Sequence, residues 1–307
     1  MKQAQLLRNL SVPQGRIDVI LDTDAYNEVD DQYAIAYMLR SQDKLNVKGI
    51  YAAPFHNKKS KSPKDGMEKS YDEIHKILKL AGAEDKIPLV KKGSETYLPN
   101  ESTPVESEAV DDLIEISKGY NEDSPLYIVA IGAITNIASA IIKDPTICDR
   151  IVIVWLGGNA TWAEHNCEFN LQQDIAAARI IFGCGAPFVQ LPCTGVVDSF
   201  RTSGPELAHW LIGKNPLATY LAENTVKEAE SYAKGHAWTR VIWDVTAVAW
   251  LLNEDNRYMK SRLIHSPIPE YDNRYAYDLS RHFMQYVYSI DRDMLFGDLF
   301  NKLLKEY

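Results

Sequence analysis

No apolar run in this chain approaches the length of a bilayer span. The longest blocks, such as Ile151–Leu156, fall far short of it, since a membrane helix needs about 20 apolar residues. Positive charge is also scarce. There are 33 Lys and Arg against 42 Asp and Glu, a net charge of −9, which argues against a nucleic-acid partner, because a polyanion requires a basic face. The one basic run, His56–Lys61, is short and reads as a solvated loop. Cysteine is limited to Cys148, Cys167, Cys184 and Cys193, with no Cys-x-x-Cys spacing. Reduced, buried thiols in a cytoplasmic protein are therefore expected, and neither a disulfide framework nor a thiolate metal site. Residues 1–16 hold no sustained apolar segment and no small-residue cleavage site, so no secretory signal is expected there.

What is present suits an enzyme-sized α/β protein: 307 residues, 46% hydrophobic and 24% charged. Apolar strand patterns at Ile17–Leu21, Val47–Ala53, Ile87–Val90, Leu126–Ile131, Ile151–Leu156 and Pro187–Leu191 alternate with helical spacings. Helices are predicted through Tyr33, Ala34, Tyr37 and Met38, and at Met67–Ala81, Glu106–Ser117, Ile137–Ile142 and Ile175–Phe182. Continuous apolar strands separated by helices predict βαβ units and an open, mostly parallel sheet flanked by helices. Beyond about Gly204 the pattern turns mostly helical, over Pro205–Ile212, Leu217–Lys234, Asp244–Leu252 and Arg292–Tyr307, with short strands expected near Leu263–Ile268 and Tyr286–Ser289. No repeat or linker interrupts the chain, and residues 1–307 are expected to form one domain.

The most informative stretch is Ile17–Leu39. An apolar strand runs straight into Asp22, Asp24, Glu28, Asp30 and Asp31, and a helical spacing follows. In open α/β sheets the crevice past the strand ends is where ligands bind. Carboxylates this crowded repel one another unless a cation is shared between them, and an oxygen-only donor set suits a hard cation. Aspartates at a helix start are also ordinary caps, which accounts for one or two of the five. A phosphatase of the haloacid dehalogenase type also places Asp-x-Asp after its first strand, but leaves Asp30-Asp31 unexplained, and no convincing later Lys and acidic pair is found.

In four segments the chain resembles the nucleoside hydrolase family of the inosine–uridine-preferring type. They are Asp22-Thr23-Asp24 with Asp30-Asp31, Ile131-Gly132-Ala133-Ile134-Thr135-Asn136, Glu168-Phe169-Asn170 leading to Asp174, and Trp243-Asp244 heading an apolar helix. The resemblance implies a Rossmann-like α/β core and calcium-dependent cleavage of an N-ribosidic bond by water. It further implies that Asp24, Asp31, Asp244 and the backbone carbonyl of Thr135 ligate Ca2+, with Asp24 also the general base. Asp30, Glu168 and Asn170 would hold the ribose, Asn159 or Asn166 the 5′-hydroxyl, and Asp22 would stand behind the ligands. Asp174 is expected to cap the helix after it. His56 follows the second strand, near where family members place a sugar-contacting residue.

Two departures stand out. The loop between Asp24 and Asp30, Ala25–Val29, is longer than the family's usual form and carries Glu28. Trp243 stands where many purine-acting members have a histidine that protonates the leaving base. Tyr232 and His236 are the candidates for that proton, while Trp243 and Trp238 offer faces for stacking on a base. The expected partner is a small nucleoside-like molecule, and the family habit is a homodimer or homotetramer. Two further readings stay open: the same fold acting on another ribosyl or modified-sugar substrate, and a metal- and ribose-binding protein without turnover.

Overall fold

The computed structural model describes residues 2–305. Eight strands form its central sheet: β1 (Ile17–Thr23), β2 (Leu45–Ala52), β3 (Val90–Lys92), β4 (Leu126–Ala130), β5 (Ile151–Leu156), β6 (Phe188–Leu191), β7 (Met259–His265) and β8 (Phe283–Ile290). Their order is β3-β2-β1-β4-β5-β6-β8-β7. The pairs are parallel except β7 against β8, which is antiparallel.

The apolar runs produce this arrangement because each strand buries both faces. In β5, Val152, Val154 and Leu156 join one core, while Ile151, Ile153 and Trp155 join the other. In β1, Val19 and Leu21 point one way and Ile20 the other. Such two-sided burial is what a parallel sheet covered by helices requires. Helix Asp30–Leu39 is buried along its whole length. Helix Pro63–Ala81 is amphipathic, opened by the Ser62 side chain accepting from the Asp65 amide and closed by Gly82 at φ +71°, a left-handed stop that glycine adopts without strain.

From β1 the chain builds outward to β2 and β3, then returns to place β4 on the other side of β1. Connections leaving the carboxyl ends of β1 and β4 therefore diverge, and the crevice between them is the binding position of a doubly wound sheet. Asp24 follows β1 and Ile131 follows β4 at that crevice.

The structure corrects several sequence expectations. Ile87–Val90 is not a strand: Glu84–Leu89 forms a 3₁₀ turn around Pro88 and pairing starts only at Val90, since proline brings no N–H to a ladder. Phe169–Gln173, outside the helices predicted above, forms a short helix. The C-terminal part is less helical than expected, because β7 and β8 are seven- and eight-residue strands that extend the main sheet. Edge strand β7 mixes Lys260, Ser261 and Arg262 among its apolar residues, the composition that protects a sheet edge and blurs its strand signature. The C-terminal helix is Arg292–Leu303, and Glu306 and Tyr307 of its expected span lie outside the described residues.

Ile153→Ala is expected to lower unfolding stability by about 3 kcal/mol, as a fully buried truncation does. Leu263→Ala, on the half-open β7 edge, should stay within about 0.5 kcal/mol. Urea unfolding followed by circular dichroism measures both.

Candidate active site

At the carboxyl ends of β1 and β4 lies a cavity of about 230 Å³, lined by Asp24, Asp30, Asp31 and Asp244 together with Glu28, Glu168, Asn159, Asn170 and Trp243, among others. Its size suits a small metabolite. The four aspartates come from two places more than 200 positions apart in the chain. Asp24 is carried past the end of β1, Asp30 and Asp31 start helix Asp30–Leu39, and Asp244 precedes helix Val245–Leu251. Both helix starts present backbone N–H groups whose partial positive charge favours carboxylates.

All four are buried. Ligand oxygens of Asp30, Asp31 and Asp244 gather within 4.8 Å of one another. Neither carboxylate oxygen of Asp24 has a hydrogen-bond partner, nor does Asp30 Oδ1. Asp244 occupies the cap position of its helix, yet its side chain makes no capping bond. A capping role therefore does not explain it, and its carboxylate belongs to the acidic group. Thr23 Oγ1 donates to Asp31 Oδ1 at 2.5 Å, fixing that carboxylate. Burial raises Asp24 and Asp244 well above the usual carboxylate range, and the neighbouring carboxylates raise them further. Burial likewise pushes Asp31 up to about 7.

Asp22 stands one step back, outside the cavity-lining set. Its Oδ1 accepts from Asn136 Nδ2 at 2.7 Å, and burial pushes it up to about 7. Asn136 in turn accepts from the Ser94 amide and hydroxyl, each at 2.8 Å. Gly132 lets the backbone after β4 close on Asp24, since a Cβ there would come within 3.2 Å of the Asp24 carboxyl carbon.

The opposite wall is built by Glu168 and Asn170. Glu168 caps helix Phe169–Gln173, accepting from the amides of Asn170 and Leu171 at 2.9 Å each and from that of Gly158 at 2.7 Å. Of its roughly four acceptor positions, three are taken. Asn170 Nδ2 donates to the carbonyls of Ile131 at 3.2 Å and Leu156 at 3.0 Å. Its amide hydrogens thus tie β4 to β5, and its amide oxygen is what remains for a ligand. Asp174 caps helix Ile175–Gly183 through the Ala177 amide, as expected, and also accepts from Thr135 Oγ1 at 2.7 Å.

Other expected site residues are not brought together. Thr135 lies in the first turn of helix Thr135–Lys143, outside the cavity-lining set, and a carbonyl there is taken by the helix's own i+4 amide. The residue of that segment lining the cavity is Ile131, at the end of β4. Asn159 lines the cavity, with its amide donating to Asn166 Oδ1 at 2.6 Å. Asn166 sits behind it, its Nδ2 buried and unpartnered. His56 is exposed and meets the site region only through its backbone amide on Gln173. Tyr232 is 60% exposed, and His236 lines a separate surface depression beyond the end of helix Pro216–Ala233. Neither lines the cavity. Trp243 does line it. Cys167 is exposed rather than buried, and with Cys193 it borders the cavity.

Arg240 was not apparent from the sequence. It belongs to a two-residue strand, Arg240–Val241, paired with Arg201–Thr202, and its Nη2 lies 2.5 Å from Glu28 and 3.9 Å from Asp30. Only the four-residue offset from Asp244 hinted at it, and an offset without the fold says nothing of direction.

Comparison with known proteins places these features in a family. Residues 19–275 match the family described as inosine-uridine preferring nucleoside hydrolase. The chain belongs to that family. A pyrimidine-specific ribonucleoside hydrolase, RihA, of Enterobacter sp. is 28% identical over 167 residues, covering 52% of this chain and 50% of the relative. An uncharacterized Schizosaccharomyces pombe protein is 30% identical over 161 residues, or 49% of each. The chain thus spans about half the length of the curated relatives it matches. Among solved structures, the purine-preferring ribonucleoside hydrolase from Gardnerella vaginalis superposes with a TM-score of 0.73 at 22% identity, covering 94% of this chain and 98% of that one. A plant nucleoside hydrolase, PpNRh1, gives 0.73 at 20% identity, over 95% and 99% of the two chains.

The raised carboxyls give the metal-free protein a definite pH dependence. Asp22 and Asp31 hold their protons to about 7 in the fold against 3.8 ordinarily. Between those values the unfolded chain has already released protons that the fold retains, so stability falls as pH rises. The melting temperature of chelator-treated protein should drop from about pH 5 to about pH 8, and Asp31→Asn should flatten the decline. Differential scanning fluorimetry reads both.

Proposed function

We propose that this protein hydrolyses the N-glycosidic bond of a neutral ribonucleoside, or a close N-riboside, to free base and ribose at a calcium site. The observation that carries the reading is the group of buried carboxylates with unpartnered oxygens, Asp24 and Asp30 among them, sharing one cavity with Asp31 and Asp244 at the sheet's switch point. Uncompensated buried carboxylates are costly, and a divalent cation is the compensation that fits. The donors are oxygens alone, which favours a hard cation such as calcium over zinc or copper. Asp24, Asp31 and Asp244 would hold it, and the Ile131 carbonyl at the cavity wall is a better placed fourth donor than that of Thr135. When bound, such an ion supplies Lewis acidity toward a water oxygen and the vicinal hydroxyls of the sugar.

The chain's own residues divide the remaining work. Asp24, with both oxygens free of protein partners, takes the proton of the attacking water as general base. Asp30 and the amide oxygen of Asn170 accept hydrogen bonds from the ribose hydroxyls and fix the ring. The surrounding negative charge favours the positive, oxocarbenium-like ribose of the transition state. Glu168 holds the wall that presents Asn170, and Asn159 stands at the far side for the 5′-hydroxyl. Trp243 offers an aromatic face to the departing base.

Among the described residues, the cavity lining contains no Lys, Arg or His. A phosphorylated ribosyl compound would bring further negative charge to an acidic site without a cationic clamp, which favours neutral nucleosides over nucleotides.

Incubation with a panel of purine, pyrimidine and modified nucleosides, with reducing-sugar detection, tests the reading. Ribose release is expected in Ca2+, lost with chelator and restored by added Ca2+. Asp24→Ala should lower kcat by at least about 100-fold, as expected for loss of a general base. Nucleoside 5′-monophosphates should turn over poorly. Tight ribose binding without release from any panel member would establish a binding protein instead.

A further inference from the structure

The loop Ala25–Val29 is held by side chains distant in sequence. Lys59 Nζ donates to the Asn27 carbonyl at 2.7 Å and to Glu228 at 2.9 Å, and Asn57 Nδ2 donates to Asn27 Oδ1 at 2.6 Å. Arg240 Nη2 lies 2.5 Å from Glu28, 3.4 Å from Glu228 and 3.9 Å from Asp30. The Arg240 side chain is 13% exposed, and its Nε is buried without a partner.

A guanidinium this buried settles on whichever carboxylate offers the shortest contact. Glu28 has it at hydrogen-bond distance. Asp30 is at 3.9 Å, too long for a hydrogen bond but close enough for a small movement to join them. Asp30 Oδ1 has no other protein partner. Glu28 and Asp30 thus compete for one cation, and Glu28 wins by more than an ångström. Glu228 receives Lys59 on Oε2 and faces Arg240 through Oε1 at 3.4 Å, so it holds the guanidinium less closely than Glu28 does.

We propose that Glu28 and Arg240 form a positioning pair that sets substrate affinity: Glu28 keeps Arg240 off Asp30, leaving the Asp30 carboxylate available to a sugar hydroxyl. This rests on the N-riboside reading above. It gives the lengthened loop a task, since Glu28 is its only charged residue and the cation that it restrains is supplied from 212 positions away.

The test is the order in which substitutions act. In Glu28→Gln the restraint weakens, Arg240 moves onto Asp30, and KM should rise about tenfold with kcat within about twofold. Adding Arg240→Met removes the intruding cation, so the double variant should recover a KM within about threefold of wild type, a non-additivity that independent sites do not show. Calorimetric ribose binding is the second readout and should weaken and recover in the same order, with melting temperatures confirming that each variant is folded. An unchanged KM in Glu28→Gln, or a double variant as impaired as the single one, overturns the proposal while leaving the hydrolase reading intact. A wild-type protein that neither releases nor binds ribose overturns both.

Discussion

Four carboxylates buried in one cavity repel one another, and the structure tolerates them only because of where the sheet places them. Asp24 ends the turn after β1, Asp30 and Asp31 open one helix, and Asp244 precedes another. Helix starts lend partial positive charge, Thr23 donates to Asp31, and Asn136 holds Asp22 from behind. These offsets are incomplete, as the raised proton affinity of the group shows. Unresolved charge of this kind is consistent with a metal site.

The rest of the cavity is arranged to leave that centre accessible while fixing everything around it. Glu168 spends most of its acceptor capacity on backbone amides, and Asn170 spends both amide hydrogens on the ends of β4 and β5. Rigid walls of this kind hold a small polyol without paying to order loops on binding. The acidic loop Ala25–Val29 is pinned in the same way by Lys59, Asn57 and Arg240.

Much of this was legible in the residues. Continuous apolar runs at β1, β4 and β5 declared buried parallel strands, Gly82 marked a helix stop, and Asp-x-Asp with Asp-Asp after a strand marked the cavity. Other features were not legible because their signals are weak or nonlocal. Edge strand β7 reads as polar, the apolar run Ile87–Val90 hides the end of a 3₁₀ turn around Pro88, and Thr135 and Ile131 are separated only by knowing where the helix begins. Tyr232 and His236 had the right chemistry, but neither lines the cavity.

By itself, the sequence determined the class of fold and the acidic centre, because hydrophobic periodicity and local charge density act over a few residues and survive without a third dimension. Tertiary structure alone decided which side chains share the cavity. Asp244 joins the aspartates rather than capping its helix, Asn159 rather than Asn166 lines the cavity, and Arg240 reaches Glu28. Each depends on the direction a side chain takes from a backbone that the whole sheet has positioned, and a direction is not written in the spacing of letters.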